Sequence, residues 1–297
     1  MSILRIIAQH KFKKIFNAGW SSKEAFLKFL DAWKFADPLP TVKNKCKFSV
    51  IEVNGWKMFC FAPKNNTKQN NNVFYYFNGS AYVMEVGTIH YAYFIRLVRK
   101  LGITLYCPIV PVYKHDGKNI NRTELYDCVV QCYKKILERH KPEDISIGGD
   151  SSGGGLALLA PTLLKENKLP LPKRLLLVNP LDDCNLVGYK PQNPSGKYIF
   201  PKAGLEAAIE IYAGKTSLND PYVSPYFSDF SILPHTYLFY GTYDEALVGL
   251  EKLRNKLQKT NKLTGLYIYK KCFHDFFVTP IPETFKYIRD LKTIINS

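Results

Sequence analysis

Short apolar runs alternate along this chain with longer segments in which apolar residues recur every three or four positions, the signatures of buried strands and amphipathic helices. Lys47 to Val53 and Trp56 to Ala62 flank Asn54-Gly55, a strong short-range hairpin signal, and read as two antiparallel strands. Further strands are expected at Val73–Phe77, Ile103–Val110, in the short apolar run that opens at Ile145, and at Arg174–Val178, Thr236–Tyr240 and Gly265–Lys270. Helical patterns cover Gly87 to Lys100, about Arg122 to His140, the run after Asp150 as far as Asn167, Asp244 to Lys259 and Ile281 to Asn296. From Val73 onward this is a βαβαβ series, which predicts parallel strands, right-handed crossovers and sites beyond the carboxyl ends of the strands. The alternation breaks between Leu181 and Tyr226, where proline-rich turns surround a helix near Pro201 to Tyr212; such an insertion would lie above a site. Lys64 to Asn72 is polar and asparagine-rich, as expected of an exposed loop, and no internal repeat is evident.

Residues 1 to about 40 read as two helices. The second is expected to start at Ser21, with Glu24 completing an S-x-x-E capping box, and to place Phe26, Leu27, Phe29, Leu30 and Trp33 on one face before Asp37-Pro38-Leu39-Pro40 stops it. That face fits plain core or a lid over a pocket equally well. The apolar run at the N-terminus is too short for a signal-peptide core or a bilayer span, so neither secretion nor an integral membrane segment is expected.

Composition narrows the class. With 297 residues and 46% hydrophobic content the chain can bury a large core. Lys and Arg number 41 against 25 acids, a net charge of +16, yet the basic residues are scattered over helix faces such as Arg96, Arg99 and Lys100, or Lys252, Arg254, Lys256 and Lys259. No nucleic-acid motif accompanies them, so a solvated surface is expected, with weak adhesion to anionic surfaces as the remainder. The seven cysteines lie mostly in apolar segments and read as reduced thiols of a cytoplasmic protein. Cys128 and Cys132 share a helix face, but no second pair completes a metal site.

The candidate chemistry sits at three strand ends. Gly149-Asp150-Ser151-Ser152-Gly153 is a G-x-S-x-G match between a strand and a helix, a turn that exposes the Ser151 hydroxyl and offers the Ser152 amide to an oxyanion. The last two strands end in Gly241-Thr242-Tyr243-Asp244-Glu245 and Cys272-Phe273-His274-Asp275. A serine needs a base to take its proton, and the base works best when a carboxylate fixes its tautomer. His274 and Asp244 supply both, in the chain order of α/β-hydrolases. Asp244 is also expected to cap the helix that follows, Glu245 and Asp275 are fallback acids, and His10, His115, His140 and His235 read as ordinary surface histidines.

On these residues the chain resembles the hormone-sensitive-lipase-like branch of the α/β-hydrolase esterases. The matching segments are Gly149 to Gly154, Asp220-Pro221-Tyr222-Val223-Ser224-Pro225, Gly241 to Asp244, and His274 followed by Phe276, within a stretch from about Phe74 to Asn296. The resemblance implies one α/β domain over residues 1–297. Its eight-stranded, mostly parallel sheet would carry helices on both faces and a helical cap from about 1–40 and 185–218. It implies hydrolysis of small, short-acyl carboxylic esters without cofactor or metal, with Ser151 as nucleophile, Asp244 as acid, His274 as base and His90 as a structural histidine. The oxyanion loop departs from the family's His-Gly-Gly-Gly: this chain has Asn78-Gly79-Ser80-Ala81, so the amides of Gly79 and Ser80, with that of Ser152, are the expected donors. Side chains at Ser80 and Ala81 disfavour positive φ and would distort the hole if the loop needs it. A hydrolase-like binding protein with weakened catalysis, and an amidase or deacetylase with the same triad, are the alternatives. The partner is expected to be a small-molecule ester rather than a nucleic acid, and a homodimer stays open. Tyr82, Tyr113, Phe200 and the aromatics of the N-terminal helices are candidates for lining an apolar pocket.

Overall fold

The computed structural model describes residues 3–33, 37–64, 70–110 and 121–297. The chain opens with helices α1 (Ile3–Phe16) and α2 (Lys23–Ala32) and the single turn α3 (Leu39–Val42). The hairpin β1 (Lys47–Val53) and β2 (Trp56–Ala62) follows, turning on Asn54 and Gly55, both at positive φ, the conformation a two-residue hairpin requires. Then come β3 (Val73–Phe77), α4 (Thr88–Leu101), β4 (Thr104–Pro108), α5 (Arg122–Leu137), β5 (Ile145–Asp150), α6 (Ser151–Glu166), β6 (Arg174–Val178), α7 (Lys202–Ala213), β7 (His235–Gly241), α8 (Leu247–Lys259), β8 (Leu263–Tyr269) and α9 (Pro282–Ile295).

Among the described residues these strands make one eight-stranded sheet in the order β1-β2-β4-β3-β5-β6-β7-β8. β1 and β2 run antiparallel to their neighbours and the remaining pairs are parallel. β3, β4, β5 and β6 are buried along their whole length, as helices on both faces of a parallel sheet demand. The strand order reverses at β3, which pairs with β4 on one side and β5 on the other; ligands of open sheets bind in the crevice that such a reversal leaves. Phe77 is the register partner of Gly149, so the loop leaving β3 and the turn leaving β5 emerge side by side.

Several boundaries differ from expectation. The second helix is capped by Ser22, whose hydroxyl accepts the Ala25 amide, whereas Ser21 turns back to the Ala18 carbonyl. With two serines in succession, the one whose backbone is extended takes the cap. α8 starts at Leu247, not Asp244: the Asp244 carboxylate accepts the Ala246 amide in the turn that precedes the helix, and Ala246 occupies the cap position. His140 is half-buried against the Tyr106 hydroxyl at 3.0 Å rather than free on the surface. His115 and Tyr113 lie outside the described residues, as do residues 65–69 of the expected loop.

Over the carboxyl edge of the sheet lie α1, α2 and the segment between β6 and β7. Phe26 and Leu30 of α2 are buried core, while Phe16 and Trp20 meet Phe200 at ring-centroid distances of 4.8 and 5.3 Å. The aromatic face of the N-terminal helices is therefore both core and roof. Among the described residues no helix is long and apolar enough to cross a membrane, and all seven cysteines are free thiols.

Candidate active site

Ser151 sits at the head of α6 with φ of +52°, a left-handed conformation that an ordinary side chain adopts only at a cost of about 1–3 kcal/mol. The turn closes because Gly149 and Gly153 carry no side chains: a Cβ on Gly149 would come within 2.4 Å of the Gly153 carbonyl oxygen, and one on Gly153 within 2.2 Å of that of Phe77. This packing holds the hydroxyl up at the end of β5, and the Ser151 carbonyl accepts the Leu181 amide at 2.7 Å.

His274 follows β8, and its Nδ1 lies 2.8 Å from Oδ2 of Asp244, which is fully buried after β7. The carboxylate is held on two further sides, by the Ala246 amide to Oδ1 at 2.8 Å and by a short hydrogen bond from Nδ2 of Asn179 to Oδ2. Asn179, at positive φ directly after β6, is a member of this group that the sequence reading passed over; its position at a parallel strand end is the signal that could have found it. With Asp244 accepting at Nδ1, the free-base ring carries its proton there and turns Nε2 outward as an acceptor.

The electrostatics around His274 are lopsided. Burial pushes its pKa down, but Asp244, Asp275 and Glu245 together win and hold it above the usual histidine value. Asp275, at φ +58°, places Oδ1 3.6 Å from Nε2 with no hydrogen-bond partner. Burial raises its pKa, opposed first by His274. Glu245 is buried too: its Oε1 accepts the Ile199 amide at 2.6 Å, and burial, reinforced by Asp244, pushes its pKa up to about 7. Both fallback acids thus act on the histidine electrostatically, but it is Asp244 that lies within hydrogen-bond distance of Nδ1.

Beneath Ser151 a second polar group is buried. Asp150 accepts the Tyr76 hydroxyl at 2.6 Å on Oδ1 and lies 3.2 Å from His90 Nε2 on Oδ2. Burial would depress the His90 pKa, yet the Asp150 carboxylate raises it. Gly79 packs against this carboxylate so closely that a Cβ there would stand 2.3 Å from Oδ2.

Gly79 and Ser80 line the same cavity as Ser151 and His274. The Ser80 amide, however, donates to the Ser152 hydroxyl at 2.9 Å. The residue after the serine carries an acceptor, and in this arrangement the amide expected to serve an oxyanion is engaged by it. The positive φ falls at Ala81 (+50°) and Tyr82 (+65°), not at Ser80. Asn78 uses its Nδ2 on the Gly79 carbonyl at 3.4 Å, a long bond.

The cavity has a volume of about 80 Å³ and is mainly apolar, walled by Phe12, Phe16, Trp20, Trp33, Met84 and Phe200. The Phe200 ring stands edge-on to the His274 ring at 5.5 Å. Tyr82 does not join this wall: it stacks on Tyr212 at 4.0 Å and donates to the Leu181 carbonyl at 2.7 Å.

Known proteins resemble this one in both sequence and shape. An esterase of Acinetobacter venetianus is 28% identical over 179 residues, which span 59% of this chain and 59% of that protein. A variant of the esterase E40 superposes with a TM-score of 0.82 at 18% identity, covering 99% of this chain and 98% of that one. A hormone-sensitive lipase from a metagenome library does so with a TM-score of 0.75 at 20% identity, covering 92% and 91%. These two share the fold. The sequence pattern of the alpha/beta hydrolase fold matches residues 74–278, more than half of the chain and all three strand ends just described, and the protein belongs to that family.

Proposed function

We propose that this protein is a serine carboxylesterase acting on small, short-acyl esters through an acyl-enzyme. The observation that carries the reading is the His274–Asp244 hydrogen bond, buried at one end and opening with Ser151 onto a single apolar cavity. Ser151 Oγ attacks the ester carbonyl carbon while Nε2 of His274 takes its proton. The negative oxygen that forms is met by the amides of Gly79 and Ser152 and by the N-terminus of α6. As the carbonyl re-forms, the bond to the alcohol oxygen breaks and His274 returns the proton to that oxygen. Water then attacks the acyl carbon, gives a proton to His274 and releases the acid, and the proton returns to Ser151. Asp244 stays ionised and stabilises the imidazolium. The apolar wall of Phe12, Phe16, Trp20 and Phe200 around Ser151 and His274 suits the hydrocarbon part of a small ester.

A fluorophosphonate probe tests this directly. Modification at Ser151, read by peptide mapping, with turnover of p-nitrophenyl acetate and butyrate, is the expected result. A folded sample in which Ser151 stays unmodified would overturn the reading.

The ring of acids gives a pH signature. His274 must be unprotonated to accept the serine proton, and the carboxylates around it favour the protonated form, so kcat/KM should climb with pH through an elevated histidine pKa. Asp275→Asn removes one negative charge beside Nε2, weakens the hold on the proton and lowers that pKa. The acid limb of the profile should move to lower pH by roughly one to three pH units; an unmoved limb would mean that Asp275 carries no charge beside the working histidine.

One observation favours a second reading, a hydrolase-like protein whose catalysis is weakened: the Ser80 amide is bonded to Ser152 rather than directed at the cavity.

A further inference from the structure

The two faces of α1 are built for different neighbours. The inner face carries Phe12 and Phe16 to the cavity wall, and Arg5, itself buried, ties the helix to Glu283 through a 2.6 Å ion pair. The outer face carries Leu4, Ile7, Lys11, Lys14 and Ile15, which helical spacing gathers into an arc of roughly 100°. Leu4, Ile7 and Ile15 are 55%, 46% and 56% exposed, although a surface helix ordinarily turns its aliphatic residues inward. Lys11 and Lys14 are exposed among them. The helix contains no acidic residue, and among the described residues no carboxylate is paired with either lysine.

We infer that this face of α1 docks on an anionic lipid surface. A bare aliphatic arc would suit an apolar groove on another protein, but lysines threaded through the arc need negative charge at the same depth. An anionic bilayer supplies both: acyl chains accept the aliphatic tips while the lysine stems extend to the phosphate level. A second copy of the chain fits less well, because a two-fold contact through the same face would set lysines against lysines. The net charge of +16 adds long-range attraction toward such a surface. The docked helix would also be the roof of the cavity, so esters dissolved in the lipid would reach the site through the surface they leave. That consequence rests on the esterase reading; the docking does not.

Co-sedimentation with vesicles of phosphatidylcholine alone, and of phosphatidylcholine with 30 mol% phosphatidylserine, is the test, at low and high salt. The protein should pellet with the anionic vesicles at low salt and stay in solution with the neutral ones. Lys11→Glu/Lys14→Glu should lower the partition coefficient by at least about 25-fold, from about fivefold per lysine at such a surface. Ile7→Ser/Ile15→Ser should lower it as well, while both variants keep the wild-type Tm. Wild-type protein that stays in the supernatant overturns the proposal, as does undiminished pelleting of the lysine pair, which would trace binding to basic residues elsewhere, or of the isoleucine pair. Dimers that Ile7→Ser/Ile15→Ser dissociates, with no vesicle binding, would assign the face to a second copy instead. None of these readouts depends on turnover, so failure here and failure of the esterase reading are separable.

Discussion

Ser151→Ala is expected to lower ester turnover by about 10⁶-fold, the scale on which loss of a serine nucleophile acts when its base is left without a partner. The same change should leave Tm unaltered. Alanine keeps the Cβ and so inherits the same left-handed backbone at φ +52°, while the glycine contacts that shape the turn do not involve the hydroxyl. A residual rate above the uncatalysed one should survive, because the amides and the cavity still bind the reacting ester. Kinetics on p-nitrophenyl butyrate and a thermal melt together check both halves. Unchanged turnover would remove Ser151 from the mechanism, and lost turnover with a collapsed Tm would say only that the turn had failed to form.

That the turn could be located in advance follows from how many independent constraints fall on it. A buried strand must enter, a helix must leave, and two glycines must lie where backbones touch; each of these leaves a residue-type signature, so β5 opens at Ile145 and α6 follows the serine turn to Glu166, one residue short of the expected Asn167. The hairpin is legible for the same reason, since Asn54-Gly55 fixes the register that pairs Lys47 with Ala62 and Val53 with Trp56. Legibility fails where an outcome depends on which of two similar groups wins. Ser21 and Ser22 offer the same hydroxyl to the same helix, and only the backbone decides. Asn179 and the group formed by Tyr76, His90 and Asp150 are assembled from different strands and helices, so their meeting has no local pattern. The direction of a single peptide unit is the extreme case: Asn78-Gly79-Ser80-Ala81 shows that the loop departs from the glycine-rich form, but not that the Ser80 N–H turns toward Ser152.

That one peptide unit gives the second large effect. Ser152→Ala removes the acceptor that holds the Ser80 amide and leaves the N–H free to turn to the cavity that Ser80 already lines. One oxyanion donor is worth about 10²- to 10³-fold in rate, so kcat should rise by up to about 10²-fold. KM should stay nearly constant, because the new hydrogen bond forms to the charged intermediate and not to the ground-state ester. Stability should move the other way, by about 1–3 kcal/mol, since a satisfied buried amide loses its partner. Ser152→Thr retains the hydroxyl and should keep the wild-type rate. A rate gain confined to the alanine variant would make this an esterase restrained by its own residue 152, and the weakened-hydrolase reading would describe a state one hydroxyl away from full activity. If Ser152→Ala leaves kcat flat or lowers it at an intact fold, then the Ser80–Ser152 bond is what holds the loop in place. Gly79 and Ser152 would then supply the donors that this protein has.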